Sequence, residues 1–125
     1  MKTTTISLVS HKVDDTGSIA GRFAGHLRPG DVVGFCGDLG AGKTTFIREL
    51  AHSWGVARRD VTSTSFVIAR EYPALIPILH ADVYRLSGIE ELPPEVLEFI
   101  DSQKGVALIE WVDVMGMDVD WQVSL

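Results

Sequence analysis

An α/β sandwich on a mainly parallel sheet is the fold class this chain predicts, and two observations predict it. Short, almost unbroken apolar runs, Val32-Val33-Gly34-Phe35-Cys36 and Val106-Ala107-Leu108-Ile109, read as buried strands, and stretches of helical pattern stand between the strands. The first run leads through a glycine-rich loop into the helix-compatible stretch Thr45-Phe46-Ile47-Arg48-Glu49-Leu50-Ala51. Strand, glycine loop and helix in that order aim a helix N-terminus at an anion.

The elements follow in order. Ile6, Leu8 and Val9 mark a short first strand. Asp14, Asp15 and Thr16 supply N-cap chemistry for a helix in which Ile19, Phe23 and Leu27 recur every fourth residue. Arg28-Pro29-Gly30-Asp31 is a turn feeding the strand before the glycine loop, and the helix after that loop ends near Trp54-Gly55. Arg58-Arg59-Asp60 reads as a solvated connection. Val67 to Tyr72 and Ile76 to Asp82 are strands, the second in spite of Pro77. Gly88 to Asp101 is acidic and helical in pattern, with Val96, Leu97 and Ile100 as its apolar face and Pro93-Pro94 dividing a short turn from the helix proper. The run from Val106 ends on Glu110-Trp111, and Trp121-Gln122-Val123-Ser124-Leu125 alternates as a last strand, cut off at the terminus. No repeat, low-complexity stretch or linker divides residues 1–125, which are expected to form one domain.

Bulk properties narrow the function classes. Of 125 residues, 46% are hydrophobic and 22% charged, the balance of a soluble globular protein. Eleven Lys and Arg against 17 Asp and Glu leave a net charge of −6, unsuited to stand-alone nucleic-acid binding, which rests on phosphate neutralisation. A connection to RNA is therefore expected to run through a partner. One cysteine, Cys36, excludes an intramolecular disulfide and reads as a small residue buried in its strand. The opening Met1-Lys2-Thr3-Thr4-Thr5 is too polar for a signal peptide, and no run approaches the ~18 apolar residues of a membrane span, so a cytoplasmic location is expected.

The glycine loop carries the chemistry. Gly37-Asp38-Leu39-Gly40-Ala41-Gly42-Lys43-Thr44 fits G-x-x-x-x-G-K-[ST], the Walker A phosphate loop. Its glycines let backbone N–H groups turn towards phosphate oxygens, Lys43 reaches the β- and γ-phosphates, and the Thr44 hydroxyl can ligate Mg²⁺. The bland alternative is a glycine-rich turn before a helix. The expected architecture is thus α/β, a P-loop NTPase-like three-layer sandwich with a mainly parallel sheet and antiparallel edge strands.

Such a loop needs an acid at the tip of a neighbouring strand to hold Mg²⁺ or its waters. Glu110 closes Val-Ala-Leu-Ile-Glu, the pattern of a Walker B strand, and Asp82 closes Pro77-Ile78-Leu79-His80-Ala81-Asp82. In a parallel sheet both would line the edge where the phosphate loop starts. A division of roles follows: Thr44 and Glu110 on the metal, Asp82 on metal or attacking water. The competing reading of either acid is a strand-end residue that caps a helix or faces solvent. His80 is read as a structural histidine before a base, Trp111 as packing first, and Arg85 as either a phosphate-neutralising or a surface residue. Asp113, Asp118 and Asp120 are read as ordinary loop acids.

With these segments in place the chain resembles the TsaE (YjeE) family of small bacterial ATPases, which support threonylcarbamoyl-adenosine modification of tRNA. Carrying the resemblance are Pro29-Gly30-Asp31-Val32-Val33, Gly37 to Phe46, Thr62-Ser63-Thr64-Ser65-Phe66-Val67, His80-Ala81-Asp82-Val83-Tyr84-Arg85-Leu86 and Ile109-Glu110-Trp111. It implies binding of ATP and Mg²⁺, slow hydrolysis by the chain alone, and association with a transferase subunit and its paralogue. By position it implies nucleotide contacts from Gly37, Asp38, Leu39, Gly40, Ala41, Gly42, Lys43, Thr44 and Thr45. Thr44 and Glu110 would bind Mg²⁺, and Lys43, Asp82 and Glu110 would be the catalytic set. Two departures stand out. The family's Ser-Pro-Thr-[Phe/Tyr] is Ser63-Thr64-Ser65-Phe66 here, which keeps a hydroxyl at Ser65 but loses the proline. Members also usually continue past the position of Leu125, so a domain shortened at its C-terminus is expected. Two rival functions share the loop: a small metabolite kinase, and a binding module gated by ATP with negligible hydrolysis. A kinase needs an acceptor pocket and usually an arginine-rich lid, and Arg58-Arg59 is the only arginine pair.

Overall fold

The protein is seen in a computed structural model that describes residues 4–7, 13–36, 41–61, 69–83, 92–110 and 118–124. Its elements run β1 (Thr4–Ser7), α1 (Val13–Ala24), β2 (Val32–Cys36), α2 (Ala41–Ser53), β3 (Ala69–Tyr72), β4 (Ile78–Asp82), α3 (Pro94–Ser102), β5 (Val106–Glu110) and β6 (Trp121–Ser124), with a 3-10 turn at Arg58–Asp60. The strands form one six-stranded sheet in the order β1-β6-β2-β5-β4-β3. Every neighbouring pair is parallel except β3 with β4, so the antiparallel pairing lies at one edge and β1 closes the other edge in parallel with β6.

Helices cover both faces, as a parallel sheet requires. On one face α1 and α2 set Ala20, Phe23, Phe46, Ile47 and Leu50 against Val33, Phe35, Leu108 and Val123. On the other, α3 sets Val96 and Phe99 against Leu79, Ala81, Ala107 and Ile109. The alternation within β5 explains both cores: Val106 and Leu108 enter the first, Ala107 and Ile109 the second. The mixed α/β sandwich expected from the sequence is the architecture observed.

Local chemistry sets the boundaries. Arg28-Pro29-Gly30-Asp31 closes with an Asp31 N–H to Arg28 carbonyl bond of 3.0 Å, and Gly30 at φ +100 takes the position of a type II turn that excludes side chains. Helix α2 stops in a Schellman motif. The Val56 N–H reaches the Ala51 carbonyl at 3.1 Å, the Gly55 N–H reaches His52 at 3.0 Å, and Gly55 holds φ +99. Pro77 precedes β4 rather than lying inside it; it has no N–H to give a ladder, and its carbonyl instead accepts from Val106 N–H at 2.9 Å. Pro94 opens α3 at its first position, where a missing N–H costs nothing.

Three expectations are corrected. Helix α1 begins at Val13, so Asp14, Asp15 and Thr16 lie in its first turn rather than capping it, and Leu27 is buried just beyond its end. The buried face of α3 is Val96 and Phe99 with Ile100 partly covered, while Leu97 is 40% exposed; spacing of i, i+3, i+4 leaves residue i+1 about 100° round the helix. Asp120 is no ordinary loop acid: its Oδ2 accepts the Val32 N–H at 2.7 Å, and its own N–H binds the Val32 carbonyl at 2.9 Å. The strand from Trp121, β6, is inserted between β1 and β2.

Several sequence readings lie outside the described residues. These are Leu8 and Val9 in the first strand, Gly37 to Gly40, Thr62 to Ile68, Tyr84 to Glu91, Trp111 to Met117 with Asp113, and Leu125. Among the described residues, no helix is long and apolar enough to cross a membrane.

Gly105 is the glycine that packing demands. A Cβ there would lie 2.1 Å from the Pro77 carbonyl oxygen and 2.8 Å from Phe99, which is incompatible with the β4–β5 and α3 contacts around it. Gly105→Ala is therefore expected to lower the urea unfolding midpoint by several kcal/mol equivalent or to prevent folding. Gly21→Ala, on α1 with nothing within 4 Å of the new Cβ, is expected to be neutral or to add up to about 1 kcal/mol. Equal unfolding midpoints for the two variants would refute this packing account.

Candidate functional site

The site is built at the carboxyl ends of three adjacent parallel strands. The registers pair Phe35 of β2 with Glu110 of β5, and Glu110 with Asp82 of β4. Paired residues share a face of the sheet and lie about 5 Å apart across it. Since Val33, Leu108 and Ile78 face the α1 and α2 core, the side chains of Phe35, Glu110, Asp82 and His80 are on that same face.

Helix α2 brings the third component. It starts at Ala41, directly after residues 37–40, which join it to the tip of β2. Phe46 anchors its first turns, with ring centroids 5.6 Å from Phe35 and 5.9 Å from Phe23. Phe23 in turn meets Trp121 edge-on at 5.3 Å and 87°. One aromatic cluster thus ties α1, α2, β2 and β6 together. Lys43 lies three residues before Phe46, hence on the same side of the helix, and is only 3% exposed. Thr44 and Thr45 are half-buried in the next positions.

Gly42 has a different character from Gly105. It is exposed, and a Cβ built on it would meet nothing within 4 Å among the described residues. Packing does not require glycine here, and a helical glycine costs about 0.5–1 kcal/mol relative to alanine. A phosphate at the N-terminus of α2 would meet backbone N–H groups and the positive end of the helix.

At the strand tips the carboxylate is already engaged. Glu110, 5% exposed, meets the Nε2 of fully buried His80 through its Oε2 at 2.7 Å. A carboxylate accepts, so Nε2 carries the proton and donates it. The Nδ1 of His80 has no hydrogen-bond partner among the described residues. The Val83 N–H also reaches the Glu110 carbonyl at 3.3 Å, which continues the β4–β5 pairing past Asp82.

Of the residues the sequence named, Asp82 and Glu110 are paired at the tips of β4 and β5, while Lys43 and Thr44 lie in the first turn of α2, the helix after β2. Glu110 is buried rather than solvent-facing, and His80 is a buried histidine bonded to it. The His80–Glu110 pair was missed because its partners sit on separate strands. The available signal was His80 two residues before Asp82, on the same face of β4, which becomes diagonal to Glu110 only when His80 pairs with Leu108.

The donor set suits magnesium. Among the described residues no cluster of three or more His, Cys, Asp or Glu side chains forms a cage for a metal ion. Mg²⁺ does not need one, since it takes one or two carboxylates and completes its octahedron with phosphate oxygens and water. Carboxylates paired at the tips of β4 and β5, with the Thr44 hydroxyl in the first turn of the helix after β2, are hard oxygen donors of that kind.

Elsewhere, Arg58 is committed to Glu49. Its Nε and Nη2 donate to the two carboxylate oxygens at 2.9 and 3.1 Å, and that hydrogen bonding raises the guanidinium pKa above its ordinary value. Glu49 lies in the C-terminal half of α2 and Arg58 in the 3-10 turn after it.

A six-stranded, mostly parallel sheet with a strand-loop-helix at the carboxyl ends is a P-loop NTPase-like fold. The family model for "Threonylcarbamoyl adenosine biosynthesis protein TsaE" matches residues 10–124, and the chain belongs to that TsaE family. Similar proteins include the tRNA threonylcarbamoyladenosine biosynthesis protein TsaE of Streptomyces coelicolor, 46% identical over 94 residues, which are 72% of this chain and 62% of the relative. The protein of the same name from Bacillus subtilis is 40% identical over 104 residues, covering 82% of this chain and 63% of the relative. Among solved structures, YdiB of Bacillus subtilis superposes with a TM-score of 0.63 at 35% identity, covering 84% of this chain and 63% of that one. The chain therefore spans a little over three-fifths of the length of these relatives.

Removing Glu110 strands the donor on His80 inside the protein. Glu110→Ala is expected to cost about 1–3 kcal/mol of stability without any nucleotide present, whereas Glu110→Gln keeps an acceptor oxygen and costs less. Chemical denaturation of the two variants checks this, and equal stability of Glu110→Ala and the unmodified chain would show the bond to be unimportant.

Proposed function

We propose that this chain is a Mg²⁺-dependent ATP-binding and ATP-hydrolysing protein that supports formation of the threonylcarbamoyl group on adenosine next to the anticodon of tRNAs reading codons that begin with A. It acts with a transferase complex, made of a transferase subunit and its paralogue, in the cytoplasm. One observation carries the reading: Asp82 and Glu110 stand in register at the tips of β4 and β5, and Lys43 is buried in the first turn of the helix that follows neighbouring β2. Family membership supports the link to tRNA modification. The net charge of −6 favours action through protein partners rather than by gripping tRNA directly.

In this reading the N-terminus of α2 and the loop from Gly37 to Thr45 bind the phosphates through backbone N–H groups. Lys43, held against the sheet side of the helix, brings its charge to the β- and γ-phosphates. Thr44 and Glu110 would hold the magnesium ion, which when bound offsets charge on the phosphate oxygens. Asp82, beside Glu110, orients the attacking water and draws on its proton. The metabolite-kinase alternative loses support from Arg58, whose guanidinium is taken by Glu49 at the far end of α2.

The decisive experiment is ATP turnover by the chain alone and with the transferase assembly. Slow phosphate release that rises with the partners is expected, and no magnesium-dependent turnover under either condition would defeat the proposal. Lys43→Ala is expected to lose nucleotide affinity, and Glu110→Ala to lose chiefly magnesium-dependent turnover. Gly42→Ala separates ligand from fold: it is expected to leave stability unchanged or raise it by up to about 1 kcal/mol while weakening ATP binding at least tenfold in calorimetry. An Ala variant with full ATP affinity would show that no phosphate approaches that position.

A further inference from the structure

We infer that His80 is a positioning residue for magnesium: it sets the orientation of the Glu110 carboxylate before nucleotide and metal arrive. The inference rests on the proposed nucleotide site and extends it to a residue that touches neither ligand.

The argument starts from freedom and burial. A glutamate at a strand tip has three rotatable bonds, and a carboxylate that must ligate a small, octahedral ion cannot be left to wander. His80 has no such freedom. It is 0% exposed, its backbone is fixed in β4 between β3 and β5, and its ring stands on the face shared with Leu108 and Glu110. The ring gives its Nε2 proton to Oε2 of Glu110 at 2.7 Å. That bond ties one carboxylate oxygen, Oε2, to a fixed point in the protein interior and so restricts the positions open to Oε1, on the face that Glu110 shares with Asp82.

A purely structural histidine would be expected to use both of its ring nitrogens within the core. Here Nδ1 is buried with no partner among the described residues, an expense that a leucine or phenylalanine at the same place would avoid. Among the described residues, the hydrogen bond that the ring makes is to the candidate metal ligand. Ligating carboxylates are generally held by such outer hydrogen bonds, and losing one typically costs 10–100-fold in metal affinity or activity.

The test compares affinity for the β,γ-imido analogue of ATP in EDTA and in magnesium, by calorimetry. His80→Leu removes the donor, and His80→Gln restores an N–H at similar reach. The Leu variant is expected to bind the analogue in EDTA as the unmodified chain does, but to lose about tenfold or more of the tightening that magnesium gives. The Gln variant is expected to recover most of it. Full magnesium tightening in the Leu variant, or an equal loss in the Gln variant, overturns the assignment of His80. If the unmodified chain does not bind the analogue, or binds it equally with and without magnesium, the nucleotide-site reading itself falls, which is a separate outcome. Should the Leu variant fail to unfold cooperatively on heating, nitrogen NMR of the histidine-labelled unmodified chain decides. A proton on Nε2 of His80 is expected, and one on Nδ1 instead overturns the proposal.

Discussion

In-register parallel pairing of β2, β5 and β4 is the constraint from which the rest of the site follows. Side chains paired across parallel strands share a face, so aligning Phe35, Glu110 and Asp82 places an aromatic anchor and two carboxylates in one row. A slip of one residue in β5 would turn Glu110 into the α3 layer and bring Ile109 out at the wrong face. The register is protected from such a slip by burial on both sides. Val106 and Leu108 are needed by one core and Ala107 and Ile109 by the other, all of them at most 1% exposed.

The same row determines where α2 can lie. Phe46 packs on Phe35, and Phe23 and Trp121 close around them, so the first turn of the helix is pinned over the tip of β2. Lys43, three residues before Phe46, is carried to the same side of the helix by helical geometry. Asp31 and Asp120 secure the other end of β2: Trp121 Nε1 donates to Asp31 at 3.3 Å, and Asp120 bridges to Val32 in both directions. The polar groups of the site are thus arranged by apolar packing and by backbone anchors at the opposite end of the sheet.

Much of this was legible from local signals. The bounds of β2 and of the last helix's start follow from a five-residue apolar run and from Pro93-Pro94, both of which act through neighbours in sequence. Glu110 and Asp82 were legible as strand-tip acids because strand ends and acids are local features. Leu97 was misjudged because a run of apolar residues on a helix does not say which of them faces the sheet until the helix is docked. Asp120 escaped notice because its partner, Val32, is 88 residues away and offers only a backbone N–H, which no residue type advertises.

What the amino-acid order determined by itself was therefore the kind of elements and the kind of chemistry: apolar runs that must be buried, a glycine loop ahead of a helix, and hard oxygen donors closing two strands. Strand order, the insertion of the last strand between β1 and β2, and the bond between His80 and Glu110 were decided only in three dimensions. The reason is physical. Propensity, capping and turn geometry act over a few residues, whereas the neighbour that completes a sheet or a buried hydrogen bond is selected by how two distant segments share one core.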